Sequence, residues 1–275
     1  MNIKGLYFKV MDRIWPSFLA KQVYHFMSNP NIRKLRDFEE VILDQSVRER
    51  VAFREFELQT YSWGDPKNKT VLMIHGWEGQ AGNFGALVDL LLEKNYHVVS
   101  YDGPSHGRSS KGNTSMFEMG DVATFFMQKY EPSYLVSHSF GSISTIYGLV
   151  NHPTASIEKW LVVTTPHNFK DRIQGVAELL GVTDRTIGRV IKKVERDTGE
   201  SIEVINVDDY SLRLQDNLKE VLLVHSKSDK ILPIEDSRKV QKALGDKAQL
   251  IELENLGHYS ILWSDDLKEI VGDYF

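Results

Sequence analysis

Ser139, His258 and Asp229 have the residue types and surroundings that acyl transfer from a serine requires: a nucleophile, a base and an acid to orient that base. Ser139 lies in Ser133-Tyr134-Leu135-Val136-Ser137-His138-Ser139-Phe140-Gly141, which reads as a short apolar strand, a turn of small residues, and then a helix from Ile143 to Val150 closed by Asn151-His152-Pro153. A serine at the tip of so tight a strand-to-helix turn projects its hydroxyl away from the sheet. It also sits at a helix N-terminus, where free backbone N–H groups stabilise an oxyanion. Such a turn needs small residues two before and two after the serine, and Ser137 and Gly141 meet that need. The common form is Gly-x-Ser-x-Gly, so Ser137 is a departure, sterically a mild one. Downstream, Val221 to His225 reads as a strand running into Ser226-Lys227-Ser228-Asp229-Lys230-Ile231-Leu232-Pro233, which puts Asp229 in a loop at a carboxyl strand end. Gln249 to Leu253 leads likewise to Leu256-Gly257-His258.

These residues meet only if the intervening chain builds a sheet. From about residue 51, strands alternate with helices. Val51 to Tyr61 reads as a strand ended by Ser62-Trp63-Gly64-Asp65-Pro66, and Thr70 to Ile74 as a continuous apolar strand buried on both faces. Phe84 to Lys94 is helical, His97 to Tyr101 a strand, Ser115 to Lys129 a helix and Lys159 to Val163 a strand. Such alternation makes a mostly parallel α/β sheet with helices on both faces, and sites in such sheets form at the carboxyl ends of the strands. His75-Gly76-Trp77 closes the strand at Ile74, and the amides of Trp77 and Phe140 would form an oxyanion hole.

The order Ser139, Asp229, His258 and five ordered motifs (the segments at 75–77, 101–109, 137–141, 226–233 and 256–258) resemble the α/β-hydrolase superfamily, in its helical-cap branch of esterases, lipases and serine peptidases. The resemblance covers about residues 51–275. It implies an α/β-hydrolase fold in which His258 takes the proton of Ser139, Asp229 holds the imidazole, the Trp77 and Phe140 amides bind the oxyanion, and His75, Gly76, Asp102, Ser137 and Gly141 support the motifs. In Tyr101-Asp102-Gly103-Pro104-Ser105-His106-Gly107-Arg108-Ser109, the resemblance makes Asp102 a residue that structures its loop rather than the acid.

Two regions lie outside the strand–helix alternation. Residues 166–215 carry an amphipathic helix through Ile173, Val176, Ala177 and Leu180. A second runs through Ile187, Val190, Ile191 and Val194, with Thr183 or Asp184 as N-cap and Gly199 as stop. They are expected to form a helical cap inserted between two core segments, 51–165 and 216–275. Residues 1–50 read as an N-terminal helical extension: Ile3, Leu6, Tyr7, Val10, Met11, Ile14, Trp15, Phe18 and Leu19 share one helix face, and Pro16 kinks it or starts it anew. Residues 1–36 hold seven Lys and Arg against one acid. A basic amphipathic helix can lie on an anionic membrane surface; the reading preferred here is that its apolar face covers the body, the site's mouth or a second subunit.

Composition sets the outer bounds. The 275 residues make one large domain or a domain with an insertion; 41% are hydrophobic and 26% charged, as in a soluble globular protein. A net charge of −5 offers no basic field for nucleic acid. With no cysteine there is neither disulfide nor thiolate chemistry, which suits a reducing cytoplasm. The first residues lack the plain apolar core of a signal peptide, and the sequons at Asn68 and Asn113 are read as chance. Gly76, Gly79, Gly82 and Gly85 are spaced by three throughout and so lack the G-x-G-x-x-G of a dinucleotide site. No cofactor and no metal are expected. His138, beside the sharp turn, is expected to point elsewhere, and His75 and His106 to bond within loops, while His167 is equally a pocket or a surface residue. Trp77, Phe84, Phe117, Phe140 and Phe169 are candidates for an apolar acyl pocket. The expected activity is cytoplasmic hydrolysis of a small-molecule carboxylic ester, falling as pH drops through roughly 6–7. A thioesterase, lipase or aminopeptidase on the same three residues, or a hydrolase-fold ligand-binding protein without activity, are the alternatives.

Overall fold

A computed structural model describes residues 3–199, 201–202, 206–214 and 217–275. Among them, eight strands form one sheet: β1 (Val47–Phe53), β2 (Phe56–Trp63), β3 (Thr70–Ile74), β4 (His97–Tyr101), β5 (Tyr134–His138), β6 (Ile157–Val163), β7 (Leu218–Ser226) and β8 (Ala248–Leu253). Their spatial order is β1-β2-β4-β3-β5-β6-β7-β8, antiparallel at the two pairings of β2 and parallel from β4 onward. The chain crosses from β4 on one side of β3 to β5 on the other. That reversal opens a crevice at the carboxyl ends of β3 and β5, where α/β sheets place their sites.

The pleat sorts the apolar residues into two layers. Leu72 and Ile74 of β3 face one layer with Leu135, Trp160 and Leu223, while Val71 and Met73 face the other with Val136, Leu161 and Val224. Helices α5 (Met116–Tyr130) and α6 (Gly141–Asn151) cover the first layer; α3 (Asp37–Asp44), α4 (Gly85–Glu93) and α11 (Asp265–Tyr274) cover the second. Helix α10 (Ile234–Leu244) packs on β7 and β8.

One expected strand is two. Val51 to Tyr61 is folded back as a β1–β2 hairpin at Arg54 and Glu55, with Arg54 at φ +51°. The turn uses neither Gly nor Asn, so the punctuation that usually betrays a hairpin is missing. β1 begins at Val47, so the sheet starts four residues before the expected core segment.

Between β6 and β7 come α7 (Phe169–Leu180), α8 (Asp184–Thr198) and the short α9 (Val207–Ser211). Ile173, Ala177, Ile187, Val190 and Val194 are buried on the first layer. Thr183 is the N-cap of α8 and Gly199, at φ +75°, its stop. The expected boundary at residues 215 and 216 lies outside the described residues, as do the side chains of Ile3, Leu6 and Val176. At the N-terminus, α1 (Ile3–Ile14) and α2 (Pro16–Met27) form a helical hairpin broken at Trp15, with Pro16 at the first position of α2 as its fixed φ favours. Leu19, Ala20 and Val23 bury one side of α2 against the first layer, where α2 runs along α8. Asp12, the one acid of residues 1–36, is buried and accepts from the hydroxyls of Thr183, at 2.5 Å, and Thr186. Among the described residues no helix is long and apolar enough to cross a membrane.

Candidate active site

β5 delivers Ser139 at the turn into α6. Its φ of +55° is a left-handed conformation that a non-glycine residue holds only under constraint. The constraint is visible: the Ser139 amide donates to the Val163 and Thr164 carbonyls at 3.1 and 2.8 Å, and the Ser142 hydroxyl donates to the Ser139 carbonyl at 2.7 Å. A Cβ on Gly141 would stand 2.2 Å from the Ile74 carbonyl oxygen, so only glycine lets α6 start against β3. Ser137, where the common motif has glycine, is fully buried, and its hydroxyl accepts from the Trp160 indole N–H at 2.9 Å. The departure is accommodated by a hydrogen bond across β5 and β6.

The loops after β7 and β8 bring the other two residues to this turn. His258 Nε2 lies 2.9 Å from Ser139 Oγ, and His258 Nδ1 lies 2.7 Å from Asp229 Oδ2. With Asp229 accepting from Nδ1–H, Nε2 is left as the acceptor of the serine proton. The second carboxylate oxygen, Oδ1, accepts from the Ile231 and Leu232 amides at 2.7 and 3.0 Å, which fixes the side chain in its turn. The Asp229 side chain is buried. Burial opposes its charge, but the His225 ring, the hydrogen bond and charge of His258 and the Ile231 amide outweigh it and hold the carboxyl well below its usual range.

Opposite Ser139, the loop after β3 approaches closely. A Cβ on Gly76 would lie 2.8 Å from Ser139 Cβ and 3.1 Å from the Phe140 nitrogen, so glycine is needed there too. The Gly76 carbonyl accepts from His75 Nδ1 at 2.7 Å and from the Gly79 amide at 3.0 Å. Because a trans peptide points its N–H opposite its C=O, this grip fixes the direction of the Trp77 N–H. Among the described residues neither the Trp77 nor the Phe140 amide has an acceptor. His75 Nε2 accepts from the Gly103 amide at 2.9 Å, and burial lowers the pKa of the ring.

Asp102 stands apart from the serine and structures the loop after β4. It accepts from the Ala81 and Arg108 amides at 2.9 and 2.7 Å and from the Tyr61 hydroxyl at 2.9 Å. His106 spans the same loop, donating to the Pro104 carbonyl at 2.7 Å and accepting from the Glu78 amide at 3.2 Å. His167 bonds Asp208 at 2.9 Å and so ties α7's approach to α9.

A model of the alpha/beta hydrolase family matches residues 71–272. The chain belongs to that family. A serine hydrolase-like protein of Mus musculus is 36% identical over 87 residues, 29% of this hydrolase and 27% of the mouse protein, so the match spans about a quarter of that relative. Among solved structures, an esterase of Pyrococcus furiosus superposes with a TM-score of 0.63 at 16% identity, covering 90% of this chain and 96% of that one. Est1E of Butyrivibrio proteoclasticus, with ferulic acid bound, gives 0.64 at 16% identity, covering 82% and 97%. At those identities the likeness is one of fold.

Two histidines of this alpha/beta hydrolase contribute more than their sequence positions announced. His138 does point away from the turn, but its Nε2 donates to the His258 carbonyl at 2.8 Å and its ring lies 4.8 Å from that of His258. Burial pushes its pKa down to about 3, with the adjacent His258 ring adding to the shift. His225, at the end of β7, is fully buried with Nε2 3.6 Å from Asp229 Oδ2 and 3.2 Å from the Leu232 carbonyl, while Nδ1 meets the Ser237 hydroxyl at 2.6 Å. Nothing in the sequence marked His225 beyond its place at a strand end.

A cavity of about 670 Å³ lies under α2, the start of α5, α6 and the inserted helices; Tyr24, Met27, Arg54, Phe117, Tyr147 and Phe169 are among its walls. It shares Met116, Phe117, Tyr147 and Phe169 with a narrow apolar crevice also lined by Ile143, Tyr210 and Phe140, the residue after Ser139. Phe117, Phe140 and Phe169 are among the walls of this crevice. Phe84 is not, being buried in the opposite layer; Trp77 packs half-buried against the first layer and edge-on to His106 at 5.2 Å. Among the described residues no group of three or more His, Asp or Glu side chains is arranged to hold a metal ion.

Proposed function

We propose that this alpha/beta hydrolase cleaves carboxylic esters through an acyl-enzyme on Ser139, with His258 as general base and acid and Asp229 as its orienting partner. The observation that carries the reading is the unbroken run of contacts from Ser139 Oγ to His258 Nε2 to Asp229, at 2.9 and 2.7 Å. Nε2 takes the serine proton as Oγ bonds to the acyl carbon. The resulting oxyanion is met by the Trp77 and Phe140 amides, each donor of this kind being worth about 10²–10³ in rate. Nε2 then protonates the departing alkoxide, and the ester C–O bond breaks to release the alcohol. Water gives a proton to Nε2 as its oxygen attacks the acyl-enzyme; Oγ leaves and recovers that proton, and the acid departs.

Three side chains in the crevice, Phe117, Phe140 and Phe169, suit an apolar acyl group, and α7 to α9 act as the cap over it. The test is labelling by a fluorophosphonate, with a panel of p-nitrophenyl esters, acyl-CoAs and aminoacyl amides beside it. Labelling of the wild type, its loss in Ser139→Ala, and turnover highest on the esters is the expected result. Equal labelling of Ser139→Ala would reject the assignment.

A further inference from the structure

The α1–α2 hairpin buries one side and leaves a second apolar side uncovered. Tyr7, Val10 and Ile14 follow one another at helical spacing on α1, Trp15 stands at the break, and Phe18 and Phe26 follow on α2. Ile14 is 74% exposed, Trp15 59% and Phe26 54%. Tyr7 donates from its hydroxyl to Gln22 at 3.2 Å, so the outward sides of the two helices lie next to each other, and Trp15 stacks on Phe18 at 5.0 Å. Of the eleven large apolar side chains exposed among the described residues, six fall within residues 7–26. Apolar residues scattered singly over a surface are ordinary; six on one hairpin are not.

Charge says what the hairpin faces. The outward residues include Arg13, which is exposed at the end of α1; Lys21, also exposed, stands on the cavity side of α2 with Tyr24. Asp12 is turned inward to Thr183 and Thr186, so no carboxylate of residues 1–36 meets solvent beside the apolar side chains. A symmetric dimer through this face would set each basic rim against its own copy. An anionic lipid surface accepts both parts at once: the aromatic and aliphatic side chains enter the headgroup–acyl boundary while the Arg13 guanidinium stays at the phosphates.

We infer that the outer side of the α1–α2 hairpin, with Ile14, Trp15 and Phe18 at its centre, seats this protein on an anionic bilayer. The other side of α2 carries Tyr24 and Met27 into the wall of the large cavity, so the seated protein holds that cavity about one helix diameter, roughly 10 Å, from the lipid.

The experiment is co-sedimentation of the full chain with vesicles of phosphatidylcholine alone and of equal parts phosphatidylcholine and phosphatidylglycerol. It is run at about 0.05 M and about 0.5 M salt, which brackets strong and weak screening. The wild type should bind the anionic vesicles at low salt, with partitioning about tenfold or more weaker on the neutral vesicles and at high salt. Ile14→Ser with Trp15→Ser, and separately Arg13→Glu, should each lower it about tenfold or more. These side chains are exposed, and an unchanged circular dichroism spectrum would show the fold intact. The inference is overturned if the wild type stays in the supernatant with both vesicle types at low salt. It is equally overturned if sedimentation equilibrium shows a dimer that Ile14→Ser with Trp15→Ser dissolves, which would give the face to a second copy.

Discussion

His138 and His258, 120 residues apart in sequence, are joined by a 2.8 Å hydrogen bond from the ring of the first to the main-chain carbonyl of the second. The residue just before Ser139 thus anchors the backbone that carries the proposed base. His138→Phe fills the site without the donor and should lower kcat about tenfold, the worth of one such bond, with KM little changed. His138→Gln, which restores an N–H donor, should recover most of the loss; steady-state kinetics on one p-nitrophenyl ester would read both.

Asp229→Asn retains the size of the side chain but removes the charge that faces the His258 ring. In the proposed mechanism it should cost about 10³–10⁴ in kcat, because the imidazole loses its oriented tautomer and its stabilised charged form. His258→Ala and Ser139→Ala should cost about 10⁴–10⁶. An Asp229→Asn enzyme at wild-type rate would remove Asp229 from the mechanism.

Acid should destabilise the fold before it protonates the carboxylates. Burial holds His138 at about 3, His106 well below its usual value and His75 below it. Between the unfolded value of about 6.5 and each folded value, the unfolded chain binds a proton that the native ring does not. Stability therefore falls with falling pH there, by about 1.4 kcal/mol per pH unit for each such ring. Asp229 is shifted the same way from a lower start, so its contribution is intact above about pH 4 and is lost only as pH falls further. Urea unfolding at a series of pH values should show the slope setting in below about 6.5, and His138→Phe should reduce it by the share of one ring.

The glycines flanking the serine turn should separate activity from folding. Gly76→Ala puts a methyl group 2.8 Å from Ser139 Cβ, so the loop that carries the Trp77 amide must retreat; kcat should drop by about 10²–10³. Gly141→Ala meets the Ile74 carbonyl at 2.2 Å, with backbone on both sides, and should cost about 3 kcal/mol or more of stability or prevent folding. Thermal melts beside ester kinetics distinguish the two.

How far the sequence reached depended on what each residue answers to. The bounds of β3 and β4 were readable to the residue, because a parallel strand buried on both faces must be apolar throughout. The convergence of Ser139, Asp229 and His258 was readable because strand–helix alternation puts their loops on one rim. The β1–β2 turn was not, since Arg54 takes a positive φ without the residues that advertise one. Phe84 was assigned to the pocket on type alone; the helical turn Ala81–Phe84 that leads into α4 sends it to the opposite layer, and side-chain type does not encode that choice. His225 owes its role to a loop folding over it, and the bare face of α1 and α2 is apolar like the buried one, so periodicity could not tell which side the body would cover.

Asp12 joins the N-terminal hairpin to α8 through two threonine hydroxyls more than 170 residues away. A buried acid left without its donors is costly, and so is the buried Thr186 hydroxyl left without its acceptor, while Thr183 lies at the exposed rim of the pair. The three positions should therefore vary together among descendants of this chain. A lineage that loses the acid at 12 should replace the hydroxyls at 183 and 186 with methyl-bearing side chains, and swapping in the inserted helices of another hydrolase should fail unless the hairpin travels with them.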